Sequence, residues 1–158
     1  VGETLIGLKI AECEEKEMSF QEVIETVDAY IEEQHTYFVL ETLDILKKNG
    51  RLKGLKAVVA TALNIKPVMG STPEGSIQQL AQARGMKKAL AKMVDEVAAK
   101  LTNPQEKILA IAHCNCEERA IAVKEMLLTK ADFKDVIILD TAGISSMYAA
   151  DGGVIIVV

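Results

Sequence analysis

Two continuous apolar runs, residues 108–112 and 135–139, flank the amphipathic stretch 117–128, and this arrangement constrains the fold more than any other feature of the chain. A strand that is apolar on every residue must be covered on both faces, and a helix lying between two such strands supplies one cover. The pattern predicts a βαβ unit with parallel strands. A further apolar run, 153–158, suits one more buried strand and is far short of the ~20 residues that span a bilayer. An integral membrane protein is therefore not expected.

The preceding residues supply the other layers. Residues 2–15 place Leu5, Ile6, Leu8, Ile10 and Ala11 at helical spacing. Ser19 with Glu22 three residues on forms a capping-box signature that opens a second helix, ending near residue 33. Its buried stripe is expected to be Val23, Ile24, Val27, Tyr30 and Ile31. Residues 35–40 are β-branched and aromatic and read as a strand. A helix over 41–46, closed by Asn49 and Gly50, and another over 52–63 follow. Residues 66–70 and 76–80 read as a hairpin around the turn 71–75, where Pro73 presets φ and Gly75 relieves the exit. The stretch 86–101 is an amphipathic helix ended by Asn103 and Pro104. The expected architecture is one domain over residues 1–158: a two-layer α/β fold with a mixed, mostly parallel sheet.

Charge and cysteine content narrow the function. A net charge of −5 argues against a nucleic-acid partner, whose recognition needs clustered cations. Three cysteines are an odd number and make no disulfide framework, which fits a reducing, cytoplasmic setting. The first residue is Val1, not Met, so the chain is expected to be a piece of a longer or processed protein.

Catalytic motifs are scarce. His113, Cys114 and Cys116 are close in sequence at a strand-to-helix junction, but a structural zinc site wants four ligands with two-residue spacers, and Cys13 and His35 are distant; no metal is expected. A thiolate there would gain from the helix N-terminus, against the plainer reading of unreactive thiols in a polar loop. No phosphate-binding glycine motif and no nucleophile elbow occurs, so neither cofactor nor catalytic residue is assigned. Ser145, Ser146 and Tyr148 offer three hydroxyls to a carboxylate or phosphate, helix capping being the alternative. Arg84, Lys87 and Lys88 place cations at a helix start, the electrostatically unfavourable end, so they are either a solvated face or a contact for an anionic partner.

The segment 35–52, HTYFVLETLDILKKNGRL, resembles the H-T-Y-F-V-V-D-T-L-x-x-L-x-K-G-G-R-I pattern of the DegV family of bacterial fatty-acid-binding proteins, with Asn49 where the first glycine usually stands. Residues 63–68, LNIKPV, are similar to that family's L-N-I-K-P-I, and residues 84–90 to its R-G-x-K-K-A-L. The resemblance covers the chain but only the family's C-terminal domain. It implies a non-catalytic carrier that binds a long-chain fatty acid and presents the carboxylate to a separate fatty-acid kinase. It further implies Arg51 as the carboxylate partner, Ser145, Ser146, Tyr148, Asn64 and Ile65 as ligand-binding residues, and Arg84 as a kinase-docking contact. A buried carboxylate needs such a charge-assisted partner or it protonates. Val58, Val59, Leu63 and Ile65 are the implied tunnel aliphatics. One departure stands out: the family's G-T-H-T-G-P-G supplies a histidine, whereas residues 146–152 read SMYAADG, with Tyr148 in its place. A phenol donates one hydrogen bond but stays neutral near pH 7.

The runner-up is a dihydroxyacetone-kinase-like enzyme component acting on a small hydroxyketone, which would need a substrate-linking histidine, and the chain has only His35 and His113. A protein-interaction module is the third possibility.

Overall fold

The computed structural model describes residues 1–52 and 64–158. The expected helix over 52–63, with Val58, Val59 and Leu63, lies outside these residues apart from Leu52. In chain order the elements are α1 (Gly2–Glu15), α2 (Phe20–Glu33), β1 (Thr36–Val39), α3 (Asp44–Lys48), β2 (Ile65–Ser71), β3 (Ile77–Arg84) and α4 (Met86–Lys100). After a 3-10 turn at Pro104–Glu106 come β4 (Ile108–His113), α5 (Glu117–Leu128), β5 (Asp135–Asp140), α6 (Gly143–Ala149) and β6 (Val154–Val157).

The strands form one sheet in the order β3-β2-β1-β6-β4-β5. The mixed two-layer α/β fold is as expected, but the sheet is mostly antiparallel: only β4 and β5 run parallel, and the other four neighbouring pairs oppose one another. An apolar run reports that both faces are covered; it says nothing of direction. Parallel neighbours need a crossover of a dozen or so residues, and α5 provides one between β4 and β5. Strand β6 instead inserts antiparallel between β1 and β4, reached through α6 and the tight turn 150–153.

Register divides the side chains between two faces. Val39, Leu109, Ile111, Val154 and Ile156 point to one face, where Leu90, Met93, Val94 and Val97 of α4 and Ala120, Val123 and Leu127 of α5 complete the main core, all buried. Burying a Leu or Ile here contributes about 1.5–3 kcal/mol each, which makes this face the stable platform.

Among the described residues the opposite face is covered only at its ends. Near one end Leu5 of α1 packs on Ala110 and Val157, with Val1, Tyr30 and Ile137 around them. Near the other, Leu46 of α3 and Ala149 of α6 pack with Leu40, and Phe38, Tyr148 and Ile155 border them. Helix α2 leans on α1 more than on the sheet. Of its expected buried stripe only Val27 is buried, and Ile24 and Ile31 remain exposed at 37% and 44%. Its capping box is formed, with Ser19 and Glu22 bonded reciprocally.

Pro67 lies inside β2, where a strand interior normally excludes proline. It is tolerated because β1 meets β2 only at Gly70 and Met69, leaving Pro67 with β3 alone, and the register slips between Val68 and Met69. Among the described residues no helix is long and apolar enough to cross a membrane.

Candidate functional site

Between the two covered ends, the described residues form a cleft on the second face of the sheet, in two adjoining parts. One, of about 300 Å³, is lined by Phe38, Leu40, Leu46, Ile77, Ala149 and Ile155, with Tyr148 and Arg51 as its polar groups besides Thr36. The other, also about 300 Å³, is bordered by Thr4 of α1, by Asp140, Thr141 and Ser145, and by Ala112 and Val157 on its floor. Thr36 and Ile155 line both. The alternation of β1 and β6 produces the floor: Thr36 pairs with Val157 and Phe38 with Ile155, so these side chains share one face while Tyr37 and Val39 enter the main core.

Arg51 owes its place to the end of α3. Gly50 takes a φ of 69°, its N–H donates to the Lys47 carbonyl at 3.1 Å, and the Arg51 N–H donates to the Leu46 carbonyl at 2.9 Å. This is the Schellman pattern of a helix C-terminus, in which glycine reverses the chain without steric penalty. Asn49 has an ordinary φ of −87° and only closes the helix. Leu46 and Arg51, which that pattern brings together, both line the cleft.

Tyr148 projects from α6 into the same part of the cleft as Arg51. Ser145, three residues earlier on the helix, borders the adjoining part. The Ser146 hydroxyl is engaged with the Thr141 hydroxyl at 2.8 Å and its carbonyl receives the Cys114 thiol at 4.0 Å. None of the three caps α6, whose N-cap is Ala142.

Asn64 and Ile65 stand elsewhere. Asn64 has a φ of 65° and its carbonyl accepts the Gly85 N–H at 2.8 Å, while Ile65 pairs with Arg84. These residues close the open end of the β2–β3 hairpin, so two of the sequence motifs meet there, and neither Asn64 nor Ile65 borders the cleft. Arg84 is exposed at that corner, next to Lys87 and Lys88 at the start of α4.

The histidines and cysteines belong to the scaffold. His113 pairs with Val154 and is therefore on the main-core face, where it is 5% exposed. Its Nδ1 accepts the Cys116 N–H at 3.4 Å, so in the neutral ring that nitrogen has no proton for Asp140, which lies 3.5 Å away and is largely exposed. Burial pushes the Cys116 thiol up, against thiolate character, and its Sγ donates to the Gly153 carbonyl at 3.4 Å. Burial, with Lys100 and Lys107, holds the His35 imidazole below its ordinary value, at a position away from the cleft. Among the described residues no three His, Cys, Asp or Glu side chains cluster as a metal site.

Sequence reasoning missed an ionic cluster behind the cleft. Glu41, just past β1, receives Lys66 Nζ at 2.6 Å on one carboxylate oxygen and Arg119 Nη1 at 2.8 Å on the other. Arg119 also donates to the Gly152 carbonyl at 2.7 Å, and Lys66 to the Glu41 carbonyl at 2.7 Å. Lys66 lies in the second motif and Glu41 in the first, so the signal was present, but pairing across 25 residues is invisible to local pattern.

The model of a family described as uncharacterised protein, DegV family, matches residues 1–158. This chain belongs to the DegV family. A DegV domain-containing protein of Streptococcus pneumoniae is 34% identical over 152 residues, 96% of this chain and 53% of its own length. Among solved structures, a DegV family protein of Ruminococcus gnavus refined with vaccenic acid is 62% identical, with a TM-score of 0.96 over 99% of this chain and 55% of that one. The fatty acid kinase B3 protein of Streptococcus pneumoniae, loaded with linoleic acid, is 32% identical, with a TM-score of 0.85 over 97% of this chain and 54% of that one. The chain thus spans about half the length of the DegV relatives it matches.

Proposed function

We propose that this DegV chain binds a long-chain fatty acid in the cleft over Thr36 and Ile155, with Arg51 receiving the carboxylate, and that it is a carrier without catalysis of its own. The observation that carries this reading is the lining of the cleft: six apolar side chains with Thr36, one guanidinium and one phenol. Each buried methylene contributes about 0.8 kcal/mol, so the tail supplies most of the affinity. The head group decides the class of lipid. A guanidinium binds a carboxylate by a charge-assisted bond and keeps it ionised, whereas an alcohol or ester offers no charge to pair. The Tyr148 hydroxyl can donate one further bond. The two DegV proteins with vaccenic and linoleic acid support the same ligand class.

The kinase partner is the finer part of the proposal. A carboxylate held near the mouth of a cleft is accessible to a second protein, and Arg84 with Lys87 and Lys88 offers a cationic corner for contact. The hydroxyketone enzyme reading loses ground, because neither histidine lines the cleft.

Extraction of the purified chain, produced in a host rich in free fatty acids, followed by mass spectrometry is expected to yield one equivalent of long-chain fatty acid per chain. Recovery of only neutral or phosphorylated lipid, or of no lipid after incubation with saturating linoleate, would contradict the assignment.

A further inference from the structure

The two rims of the cleft come from segments far apart in sequence. Arg51 follows α3, ten residues after Glu41; Tyr148 sits on α6, four residues before Gly152. Behind the cleft both segments are tied to one carboxylate. Glu41, three residues before α3, binds Lys66 near the start of β2. Through Arg119 it reaches the Gly152 carbonyl, in the turn that ends α6. Lys66 is 15% exposed and Glu41 and Arg119 about a third, so the contacts are partly shielded from solvent.

The packing at Gly152 shows how close this junction is. The residue's φ of 85° favours glycine, and a Cβ there would lie 2.6 Å from Arg119 Nη1 and 3.0 Å from Glu41 Cγ, so it would push on the ion cluster. Next to it, a Cβ on Gly153 would meet the Ala149 carbonyl oxygen at 2.4 Å. The turn therefore presses its backbone directly onto the ion cluster and onto the end of α6. None of Glu41, Lys66 and Arg119 borders the cleft.

We propose that Glu41 is a positioning residue: through Lys66 on one side and Arg119 on the other it holds the Arg51 rim and the Tyr148 rim in register, setting the geometry in which a carboxylate meets both. The proposal rests on the fatty-acid reading of the cleft for its functional consequence, but not for the coupling itself. The two cations take different oxygens of the carboxylate, so one residue can hold both. Replacing one carboxylate oxygen by an amide NH2 turns a donor toward a cation, so Glu41→Gln keeps at most one of the two ties.

The test is a double-mutant cycle with linoleate as the probe. Glu41→Gln is expected to weaken binding about tenfold, the scale of losing one hydrogen bond to a charged group. Because Glu41 acts in part through Arg51, Glu41→Gln weakens binding less in the Arg51→Met background than in the parent. Losses that multiply in the double variant, or a Glu41→Gln chain that binds like the parent, overturn the proposal. Amide exchange gives a readout without lipid. In Glu41→Gln, peptides covering 47–52 and 148–153 should exchange faster while those of α1 and α2 do not change, and Arg119→Gln, which leaves β1 untouched, should speed 148–153 alone. Unchanged exchange in both segments overturns the coupling. A parent chain that binds no linoleate but shows these exchange changes upholds the coupling and removes only the fatty-acid reading.

Discussion

Arg51 and Glu41 show how differently two charged residues of one motif are used. Arg51 is exposed at the lip of an apolar cleft, placed by a glycine-reversed helix end; Glu41 is turned away from the cleft and held by two cations. Burial raises the Glu41 carboxyl, but Lys66 and Arg119 together outweigh it and hold the group below its ordinary value of 4.5. With the folded-state value the lower, the unfolded chain binds the proton more readily. The stabilisation from Glu41 is therefore complete above 4.5 and fades as the pH falls through the folded-state value. Urea unfolding of the parent and Glu41→Gln at a series of pH values should show a stability difference that is constant near neutrality and shrinks below pH 4.5. A difference that stays the same down to pH 3 would show that Glu41 stabilises by packing and not by its charge.

At the scale of elements, local signals were legible where they are chemically local. The span of α5 follows directly from its apolar spacing, and the Ser19–Glu22 box starts α2 at the expected residue. Removing the Ser19 hydroxyl with Ser19→Ala should cost about 1 kcal/mol, seen as a lower urea midpoint with an unchanged slope; an unchanged midpoint would mean that α2 contributes nothing to the cooperative unit. Glu41 illustrates the opposite case. Residues 41–46 have helical composition, yet α3 begins only at Asp44, because Glu41 is drawn to Lys66 and Arg119 and the chain bends before the helix can start. Nor does helical spacing name a partner: α2 has the expected apolar stripe, but it rests on α1 and leaves Ile24 and Ile31 in solvent.

For the whole molecule, the asymmetry between the two faces of the sheet links fold to function. Among the described residues, one face is closed by α4 and α5 and holds most of the large buried side chains, and the other is covered at its ends with a cleft over Thr36 and Ile155. Strand direction was not legible, since apolar runs look alike in β4 and β6 whichever way they travel. The candidate site was legible in part. Arg51, Tyr148 and Ser145 do border the cleft, whereas Asn64 and Ile65 close the hairpin corner beside Arg84. The positive φ of Asn64 suits the turn it closes.

The central claim is that the cleft binds an acyl chain through its carboxylate at Arg51. A calorimetric titration of the parent chain and of Arg51→Met with linoleate and with linoleyl alcohol tests it most directly. The account predicts that the parent prefers linoleate over the alcohol by about tenfold or more, and that Arg51→Met abolishes this preference while binding the alcohol as the parent does. Equal preference for linoleate in both proteins would contradict it, and would place the head group away from Arg51.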